Sequence, residues 1–510
     1  MNGALLGLTL GLYALTVIGL GLFARRRSSR SPEEYFLAGR GLGTLVLFMA
    51  LFGTNATSFV LVGIPARAYH DGIGTFGLNA PIVALGIPLT FWAIGSPARR
   101  MGRRLAALTP AELYARRFGS RAVGLFLFLF FTLYTLPYMV QAVKGAAVTL
   151  SQAAGGGVPE WAGGLAVTLL ALVYTSLGGM RATAWTNVFQ GALFLVLMVG
   201  ALFFLAAGLG GFQAATEAVR ERDPELLRIG GGGLFEPRAW ASWGLVISLT
   251  VIGFPHMLAR LMAGGSDESL RNVCRLYPLA MALLWVPAVM IGVWGAAAFP
   301  GLEGRESDRI FSLMTGAHLP AWLGPLGVVA VLAAVMSTLD AQILTLSSML
   351  VRDVKDPYFG GSAGGPEGPG RSQRPGRADV LAGRGFAVLI GAAVFTLAQV
   401  WGASVFDISR MAFSGYVTLV PTLLLGVRWR RFTAGGAIAS ILVGNAVLAG
   451  AWIFEPPLLG FLPVFWALLF GTAAAVAGSL LGSAPDPART AAAFGDAPLP
   501  AGEPAQASRK

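Results

Sequence analysis

The most informative stretch of this sequence is Leu51-Phe-Gly-Thr-Asn-Ala-Thr-Ser-Phe-Val-Leu-Val-Gly-Ile-Pro65, in which polar residues from Thr54 to Ser58 interrupt an apolar run. Glycine and proline also interrupt a later apolar run, at Gly253-Phe-Pro-His-Met-Leu-Ala-Arg260. Five apolar spans separate the starts of these two runs. Paired broken helices at corresponding positions of two halves are typical of inverted-repeat transporters, whose binding sites lie near the middle of the bilayer. Taken singly, either break could simply reflect the higher frequency of glycine and proline in membrane helices.

Long apolar runs dominate the rest of the chain. Apolar residues make up 55% of the 510 positions and charged residues only 12%, about half the charged fraction of an ordinary soluble domain. Such runs predict transmembrane helices, because backbone exposed to lipid must satisfy its own hydrogen bonds. We therefore expect an all-α integral membrane protein with thirteen transmembrane helices. Their expected bounds are 3–24, 42–70, 76–98, 122–150, 161–177, 185–208, 239–262, 276–299, 321–350, 385–402, 404–427, 434–454 and 460–482.

The basic residues predict the direction in which the chain crosses the membrane. If the N-terminus lies outside, most of the 37 Lys and Arg residues fall in the inside segments. Those segments are 25–41, 99–121, 178–184, 263–275, 351–384, 428–433 and 483–510. The positive-inside rule then favours an outside N-terminus and an inside C-terminus. Because the net charge of +12 is spread over short loops, it does not indicate nucleic-acid binding.

The expected spans divide the sequence into five parts. They are a first helix with its cytoplasmic loop (1–41), a first five-helix repeat (42–208), a second five-helix repeat (239–427), two peripheral helices (434–482) and a disordered cytoplasmic tail (483–510). Thirteen spans joined by short loops leave no room for a soluble catalytic domain, so we do not expect an enzyme. The single cysteine, Cys274, excludes an intrachain disulfide.

The ninth span carries side chains that suit a broken helix. A helix interrupted at membrane depth frees carbonyl groups, and a small hard cation takes several oxygen atoms as ligands. The adjacent hydroxyls of Ser337 and Thr338, with Asp340 one turn from Ser337, would complete a shell of oxygens. An aspartate at membrane depth is costly unless it is paired or functional. The alternative for the two hydroxyls is a hydrogen bond to the preceding turn of their own helix.

Five motifs, in order, resemble those of one transporter family. They are Glu34-Tyr-Phe-Leu-Ala-Gly-Arg40, Leu108-Thr-Pro-Ala-Glu-Leu-Tyr-Ala-Arg-Arg-Phe-Gly119, Tyr174-Thr-Ser-Leu-Gly-Gly-Met-Arg-Ala-Thr-Ala-Trp-Thr-Asn-Val-Phe-Gln190, Pro255-His-Met-Leu-Ala-Arg-Leu-Met-Ala263 and Met336-Ser-Thr-Leu-Asp340. On these motifs the chain resembles the sodium:solute symporter family over about residues 33–430. The resemblance implies the five-plus-five inverted-repeat fold shared with the bacterial leucine transporter. It also implies Na⁺ as the coupling ion.

The resemblance further implies the positions of ion ligands. The family's main sodium site falls here on the carbonyls of Gly53, Ala56 and Ala334 and on the hydroxyls of Ser337 and Thr338.

Some members of the family have a second sodium site, built from an aspartate in the fifth core helix and serines in the ninth span. In this chain the aspartate position holds Asn187, and the first serine position holds Asp340. A second ion held by Asn187, Ser337 and Asp340 is one interpretation of this exchange. A proton on Asp340 in place of sodium is the other.

The substrate is expected to bind where the two helices are broken. Phe59 and Val60 follow the first break at positions where sugar-transporting relatives have polar side chains, which argues against a polyol. Arg410 stands at the spacing before Pro421 where sugar members contact substrate, and a guanidinium there suggests a carboxylate partner. Snorkelling to water, or pairing with Asp407, is the alternative for Arg410. The expected substrate residues are Asn55, Ser58, Phe59, Gly253, His256 and Arg410, although packing is an equal alternative for His256.

These observations predict a sodium-coupled secondary active symporter of a bacterial plasma membrane that imports a small organic solute. Its expected partners are that solute and the lipid bilayer, with no nucleic acid and no obligate protein partner. A monocarboxylate or related organic anion is the first choice of substrate, and a proline-like amino acid or a sugar is the alternative. A proton-coupled carrier, a non-transporting nutrient sensor and an ion channel are the rival hypotheses.

Overall fold

The computed structural model describes residues 3–26, 32–175, 179–230, 232–359 and 377–496, and within these ranges the chain is helical without a β-strand. The α-helices are α1 Gly3–Arg26, α2 Pro32–Leu37, α3 Thr44–Asn55, α4 Ile64–Asp71, α5 Gly74–Thr90, α6 Ser96–Arg104, α7 Pro110–Phe118, α8 Arg121–Ala153, α9 Glu160–Thr175, α10 Met180–Gly208, α11 Phe212–Arg222, α12 Pro237–Gly253, α13 Pro255–Met262, α14 Asp267–Ala298, α15 Ile310–His318, α16 Gly324–Met349, α17 Arg377–Val400, α18 Val405–Val417, α19 Val420–Arg428, α20 Ala434–Phe454, α21 Pro463–Leu481 and α22 Pro487–Phe494. Short π-helical segments are Phe59–Gly63, Phe91–Gly95 and Leu350–Phe359, and 3₁₀ turns are Ala38–Arg40, Pro224–Leu227, Gly233–Phe235 and Gly304–Arg309.

Both predicted helix breaks are present. The first separates α3 from the helix that resumes at Phe59, with a bend of 53° between the halves. The second separates α12 from α13, with a bend of 56°. At each break one residue is extended, Ala56 with ψ of 112° and Phe254 with ψ of 120°. Pro255 then begins α13, the helix position at which a missing N–H is tolerated. At two places in the interior, the chain therefore has backbone carbonyls and amides that are left outside the regular hydrogen bonding of a helix.

The count of membrane spans is supported in part. In the described ranges, ten helices are long and apolar enough to cross a membrane, and the two bent pairs bring the number up to twelve. The expected span 161–177 corresponds to α9, whose apolar part Glu160–Val173 is shorter than the others. The span expected at 321–350 runs further, because α16 continues as a π-helical segment to Phe359. Thirteen spans and an outside N-terminus stay predictions.

One half of each broken helix, α3 and α13, packs against α16. α3 packs against α10, α14 and α16, and α12 packs against α5 and α18. In the most apolar stretch of the α16 span, 94% is buried inside the protein. The corresponding share is 22% in α1 and 28% in α21. α16 is thus enclosed by protein, while α1 and α21 lie at the periphery, where their apolar side chains face outward as in a lipid-exposed helix.

The tail differs from the expectation of disorder over 483–510. Residues Pro487–Phe494 form α22, which packs on α6 and α7. Arg104 donates a hydrogen bond of 2.7 Å to the carbonyl of Phe494, and the Arg117 guanidinium lies 5.1 Å from the Phe494 ring centre. These contacts to distant parts of the sequence offset the weak apolar content of the tail. Residues 497–510 lie outside the described ranges.

Candidate ion and substrate site

Two hydroxyls of α16 meet the end of α3 at the first break. Ser337 donates a hydrogen bond of 2.7 Å to the carbonyl of Gly53, and Thr338 donates one of 2.9 Å to the carbonyl of Thr54. Both hydroxyls also approach the carbonyl of Ala334, at 2.8 and 3.0 Å. The structure therefore brings together four of the five predicted ligand residues through direct contacts. The fifth, Ala56, is buried just beyond the end of α3.

This donor set fits a small hard cation. The last carbonyls of an α-helix have no partner within the helix, so those at the end of α3 are available to a ligand. The hydroxyls of Ser337 and Thr338 carry lone pairs as well as a proton, and a rotation about the C–O bond turns the proton away and a lone pair toward a cation placed between hydroxyl and carbonyl. Oxygen atoms without a soft ligand among them suit Na⁺ rather than a transition metal. The hydroxyls could then hold the broken helix either directly or through the ion.

Close packing of α3 on α10 sets the position of this helix end. A Cβ atom at Gly53 would lie 3.1 Å from the carbonyl oxygen of Asn187 and 3.5 Å from the Cα of Gly191. Only a residue without a side chain lets the two backbones approach so closely. Gly53 therefore serves the site twice, because its carbonyl faces Ser337 while its missing side chain admits α10.

A second polar cluster lies beside the first and includes Arg260, which the sequence analysis quoted only as part of the second broken helix. Arg260 is fully buried, and its guanidinium donates a hydrogen bond of 2.5 Å to the carbonyl of Ala50. The Asp340 carboxylate lies 3.9 Å from the same guanidinium, and both side chains are 0% exposed. With its amide oxygen toward Arg260, Asn187 accepts hydrogen bonds of 2.6 and 2.8 Å from it. Asn187 and Asp340 therefore both face the guanidinium of Arg260.

A cavity opens at the two breaks. Asn55 and Phe59, both predicted to bind substrate, contribute to its wall, and Asn55 donates a hydrogen bond of 2.8 Å to the hydroxyl of Tyr277. The ion-site residue Ala56 also lines the cavity, so the ion site and the cavity share a border. The full lining is Asn55, Ala56, Phe59, Val60, Val83, Ile87, Tyr138, Ile247, Thr250, Val251, Phe254, Met281, Leu284, Trp285 and Phe413.

Aromatic rings from four helices form much of that wall. Phe59 and Phe413 meet edge to face with their centres 4.9 Å apart, and Tyr138 stacks on Phe254 at 4.6 Å. Trp285 lies 6.2 Å from Phe59. The sequence analysis identified only Phe59 of this set. Phe254 stands in the second break but was not singled out, and Tyr138, Trp285 and Phe413 stand in ordinary apolar runs, where an aromatic residue gives no signal of its own.

Three other predicted substrate residues lie next to the cavity but do not line it. Ser58 donates hydrogen bonds to Gln141, whose side-chain oxygen is 2.7 Å away. A Cβ at Gly253 would lie 2.8 Å from the carbonyl of Tyr416, so this glycine permits close helix packing. The His256 ring stacks on the Phe254 ring with their centres 5.3 Å apart. His256 lies on α13, one turn before Arg260. All three shape the breaks by packing.

Arg410 lies apart from this group. Its side chain is 48% exposed, it lies 3.9 Å from Asp407, and it does not line the cavity. The geometry agrees with the pairing alternative rather than with a substrate contact. Lys144, also at membrane depth, donates a hydrogen bond of 2.9 Å to the carbonyl of Ala403 and so ties α8 to the turn before α18.

Comparison with known proteins gives this arrangement a family. The sequence profile of the sodium:solute symporter family matches residues 35–444. The chain is 27% identical over 496 residues to the sodium/proline symporter of Salmonella typhimurium, across 94% of this chain and 93% of that protein. It is 27% identical over 476 residues to the sodium/pantothenate symporter of Escherichia coli, across 92% and 95% of the two chains.

The fold has a counterpart among solved structures. A Na⁺-coupled sialic acid symporter in a substrate-bound outward-open state superposes with a TM-score of 0.78 at 17% identity, over 94% of this chain and 99% of that chain. A similarity at this level of identity concerns the fold alone, whereas the sequence match extends over most of the chain. The chain therefore belongs to the sodium:solute symporter family, and it is a sodium-coupled carrier of the bacterial inner membrane rather than an enzyme.

Proposed function

We propose that this carrier imports, together with sodium, a small solute that has one carboxylate on a compact apolar body, with a monocarboxylate as the first choice. The observation that carries the proposal is the composition of the cavity wall. Its fifteen residues include no charged side chain, and most of them are apolar or aromatic. The body of the solute is therefore expected to be small and largely hydrocarbon.

The charge of the solute follows from what surrounds the cavity. The helix that resumes at Phe59 and the helix α13 both begin at the breaks, so the positive ends of their dipoles lie beside the cavity, although the amides of Val60 and Met257 already donate to the carbonyls of Thr57 and Phe254. Helix N-termini attract anions. A sodium ion between α3 and α16 adds one positive charge at the border that Ala56 shares with the cavity. One carboxylate and one sodium ion carry no net charge together, which suits a pocket of low polarity because burying an unbalanced charge is costly.

A sugar fits this wall poorly. Each hydroxyl of a buried polyol needs a hydrogen-bond partner, and a polar group left without one costs about 1–3 kcal/mol. The wall offers hydrogen-bonding groups from only four side chains, Asn55, Tyr138, Thr250 and Trp285, and Asn55 already contacts Tyr277. We therefore place sugars last among the three substrate classes.

A zwitterionic amino acid is the second candidate, and a specific observation favours it. The rings of Phe59, Tyr138, Trp285 and Phe413 surround the cavity, and aromatic faces attract an ammonium group. The carbonyls at the ends of α3 and α12 are further acceptors for such a group. The sodium/proline symporter relative carries an amino acid by its name, which supports this alternative.

The expected cycle uses thirteen membrane crossings with the N-terminus outside. Sodium at Gly53, Ala56, Ala334, Ser337 and Thr338 holds the broken helix against α16 in the outward-facing state and shapes the neighbouring cavity. A change to the inward-facing state releases both ligands. Because one sodium ion and one monocarboxylate carry no net charge together, the sodium concentration gradient rather than the membrane potential drives their uptake.

The test is uptake into proteoliposomes under an inward sodium gradient, with labelled pyruvate, acetate, proline, alanine, pantothenate and glucose. We expect sodium-dependent accumulation of a monocarboxylate, inhibited by other short acids but not by proline or glucose. Preferred uptake of proline or alanine would favour the second candidate. Preferred uptake of glucose, or uptake unaffected by replacing sodium with choline, would contradict the proposal.

Two tryptophan variants locate the substrate. Trp285→Leu changes the cavity wall and should raise the KM of the accepted solute by about tenfold, equal to about 1.4 kcal/mol of binding. Trp322→Leu alters a side chain that is 61% exposed, next to the start of α16, and serves as the matched control with an unchanged KM. Equal effects of the two substitutions would argue against this cavity as the substrate site.

A further inference from the structure

The buried guanidinium of Arg260 connects three helices of the core. It lies on α13, directly after the second break, and donates to the carbonyl of Ala50 on α3. It also faces Asn187 on α10 and Asp340 on α16. A positive charge fully removed from solvent needs both a counter-charge and hydrogen-bond acceptors. The surroundings of Arg260 supply both.

The orientation of the Asn187 amide identifies this position as a cation site. If the amide nitrogen faced Arg260, donors would face donors. With the oxygen toward Arg260, the amide accepts both guanidinium contacts, and its nitrogen donates to Gln190 and to the carbonyl of Thr183, each at 3.1 Å. The same oxygen also accepts a hydrogen bond of 2.8 Å from the Thr54 hydroxyl. The amide oxygen of Asn187 therefore already has a cation as its partner.

Asp340 supplies the negative charge of the cluster. Its carboxylate is 0% exposed and 3.9 Å from the guanidinium, so the two formal charges balance within one buried group. A second metal cation next to Asp340 would lie within a few ångströms of Arg260. Two like charges about 4 Å apart repel strongly wherever solvent screening is weak.

We propose that the Arg260 guanidinium is a tethered cation that occupies the charge-balancing position between Asn187 and Asp340, so that this carrier binds one sodium ion and not two. The inference rests on the proposed sodium symport and assigns its ion count. It also gives Arg260 a positioning role, because Thr54 contacts both clusters: its hydroxyl reaches Asn187 and its carbonyl accepts from Thr338. The tethered cation thereby orients the end of α3 on which the single sodium site is built.

The direct test counts sodium without any substrate. Purified wild-type carrier, titrated with radiolabelled sodium in a scintillation-proximity assay, should bind one sodium ion per chain at saturation. Two ions per chain in the wild type would overturn this inference while leaving sodium symport intact. No sodium binding at all would overturn the proposed function and this inference together.

Variants that change the charge of the cluster make the test independent of any one substitution. Arg260→Gln removes the tethered cation, and Asn187→Asp adds a second carboxylate while it keeps Arg260. Each leaves the cluster with one excess negative charge, so each should bind a second sodium ion, with a Hill coefficient that rises from one toward two. The double variant Arg260→Gln/Asp340→Asn restores neutrality and should bind one ion again.

The outcomes separate the tethered cation from a purely structural arginine. A structural role predicts that Arg260→Gln and the neutral double variant lose sodium affinity alike, and that Asn187→Asp still binds one ion. That pattern would contradict the inference. Asn187→Ser adds no charge but removes the amide oxygen that Arg260 contacts, so it should bind sodium with altered affinity and still saturate at one ion per chain, against two for Asn187→Asp. If Arg260→Gln does not fold, the comparison of Asn187→Asp with Asn187→Ser alone decides the question.

Discussion

The hydroxyl of Ser337 donates a hydrogen bond of 2.7 Å to the carbonyl of Gly53, which is 284 positions away in the sequence. This bond joins the end of the broken helix α3 in the first half of the chain to the central helix α16 in the second half. A cation at this contact would stabilise one relative position of the two halves over others. Because a ligand shifts a conformational equilibrium only by its difference in affinity between states, the contact is where sodium can influence transport.

The first prediction concerns the two hydroxyls of this contact. Ser337→Ala and Thr338→Ala should each raise the sodium concentration for half-maximal uptake by more than about tenfold, because each removes an oxygen ligand worth about 1.4 kcal/mol or more. Ser348→Ala is the control, since Ser348 lies on the same helix and donates only to the carbonyl of Leu344. Wild-type sodium dependence in both variants would place the ion elsewhere.

The second prediction concerns Arg410. Because its side chain is 48% exposed and close to Asp407 rather than to the cavity, Arg410→Ala should change the KM of the accepted solute by less than about twofold. The measurement is initial uptake in proteoliposomes at saturating sodium. A loss of affinity of about tenfold or more would show that a conformational change brings Arg410 to the substrate.

The third prediction concerns pH and an aspartate in the loop before α15. Burial raises the pKa of Asp308 to about 7, against the lowering effect of the Val405 amide and Lys144. A buried carboxyl of this kind favours folding while it is protonated, so its contribution is full below the ordinary carboxyl pKa and is lost as the pH rises through about 7. The melting temperature of the wild type should therefore fall relative to Asp308→Asn between about pH 4 and about pH 7 and change no further above about pH 8.

The control for Asp308 lies in the same 3₁₀ segment. Glu306 is exposed, and Glu306→Gln should follow the wild type over the whole pH range. A constant difference between wild type and Asp308→Asn, independent of pH, would contradict the assigned cause.

The fourth prediction concerns topology. Seven expected spans lie between α11 and residue 483, so these two positions should lie on opposite sides of the membrane. In a Cys274→Ser background, Gln213→Cys should react with an impermeant thiol reagent in intact cells, and Ser483→Cys only after lysis. Reaction of both cysteines from the same side would be incompatible with the predicted number of spans. Reaction of Ser483→Cys alone in intact cells would reverse the orientation.

Local chemistry explains which features could be read from the sequence. Both helix breaks were predictable because glycine, proline and polar residues concentrate there, and backbone at membrane depth must be satisfied. The family resemblance placed Ser337 and Thr338 at the end of α3, and in the structure Ser337 contacts the carbonyl of Gly53 and Thr338 that of Thr54. These features depend on short stretches whose chemistry has few alternatives in a membrane.

The parts that the sequence analysis missed depend on distant contacts. The sequence analysis gave Arg260 no role, and only the approach of α3, α10 and α16 shows that it is enclosed. The departure at Asn187 and Asp340 was the available signal, since a buried carboxylate without a metal needs another cation. The expectation of disorder over α22 was wrong. The tail is rich in Ala and Pro, which favours disorder, but contacts from the distant residues Arg104 and Arg117 hold Phe494 at the end of this helix.

The central claim is that sodium binds between the broken helix and α16. The most direct measurement is an experimental structure of the carrier in sodium, compared with one in choline at equal ionic strength. We predict density for a single ion ligated by the carbonyls of Gly53, Ala56 and Ala334 and the hydroxyls of Ser337 and Thr338, present in sodium and absent in choline. Sodium-dependent density at another place, or none at these five oxygens under saturating sodium, would contradict the account.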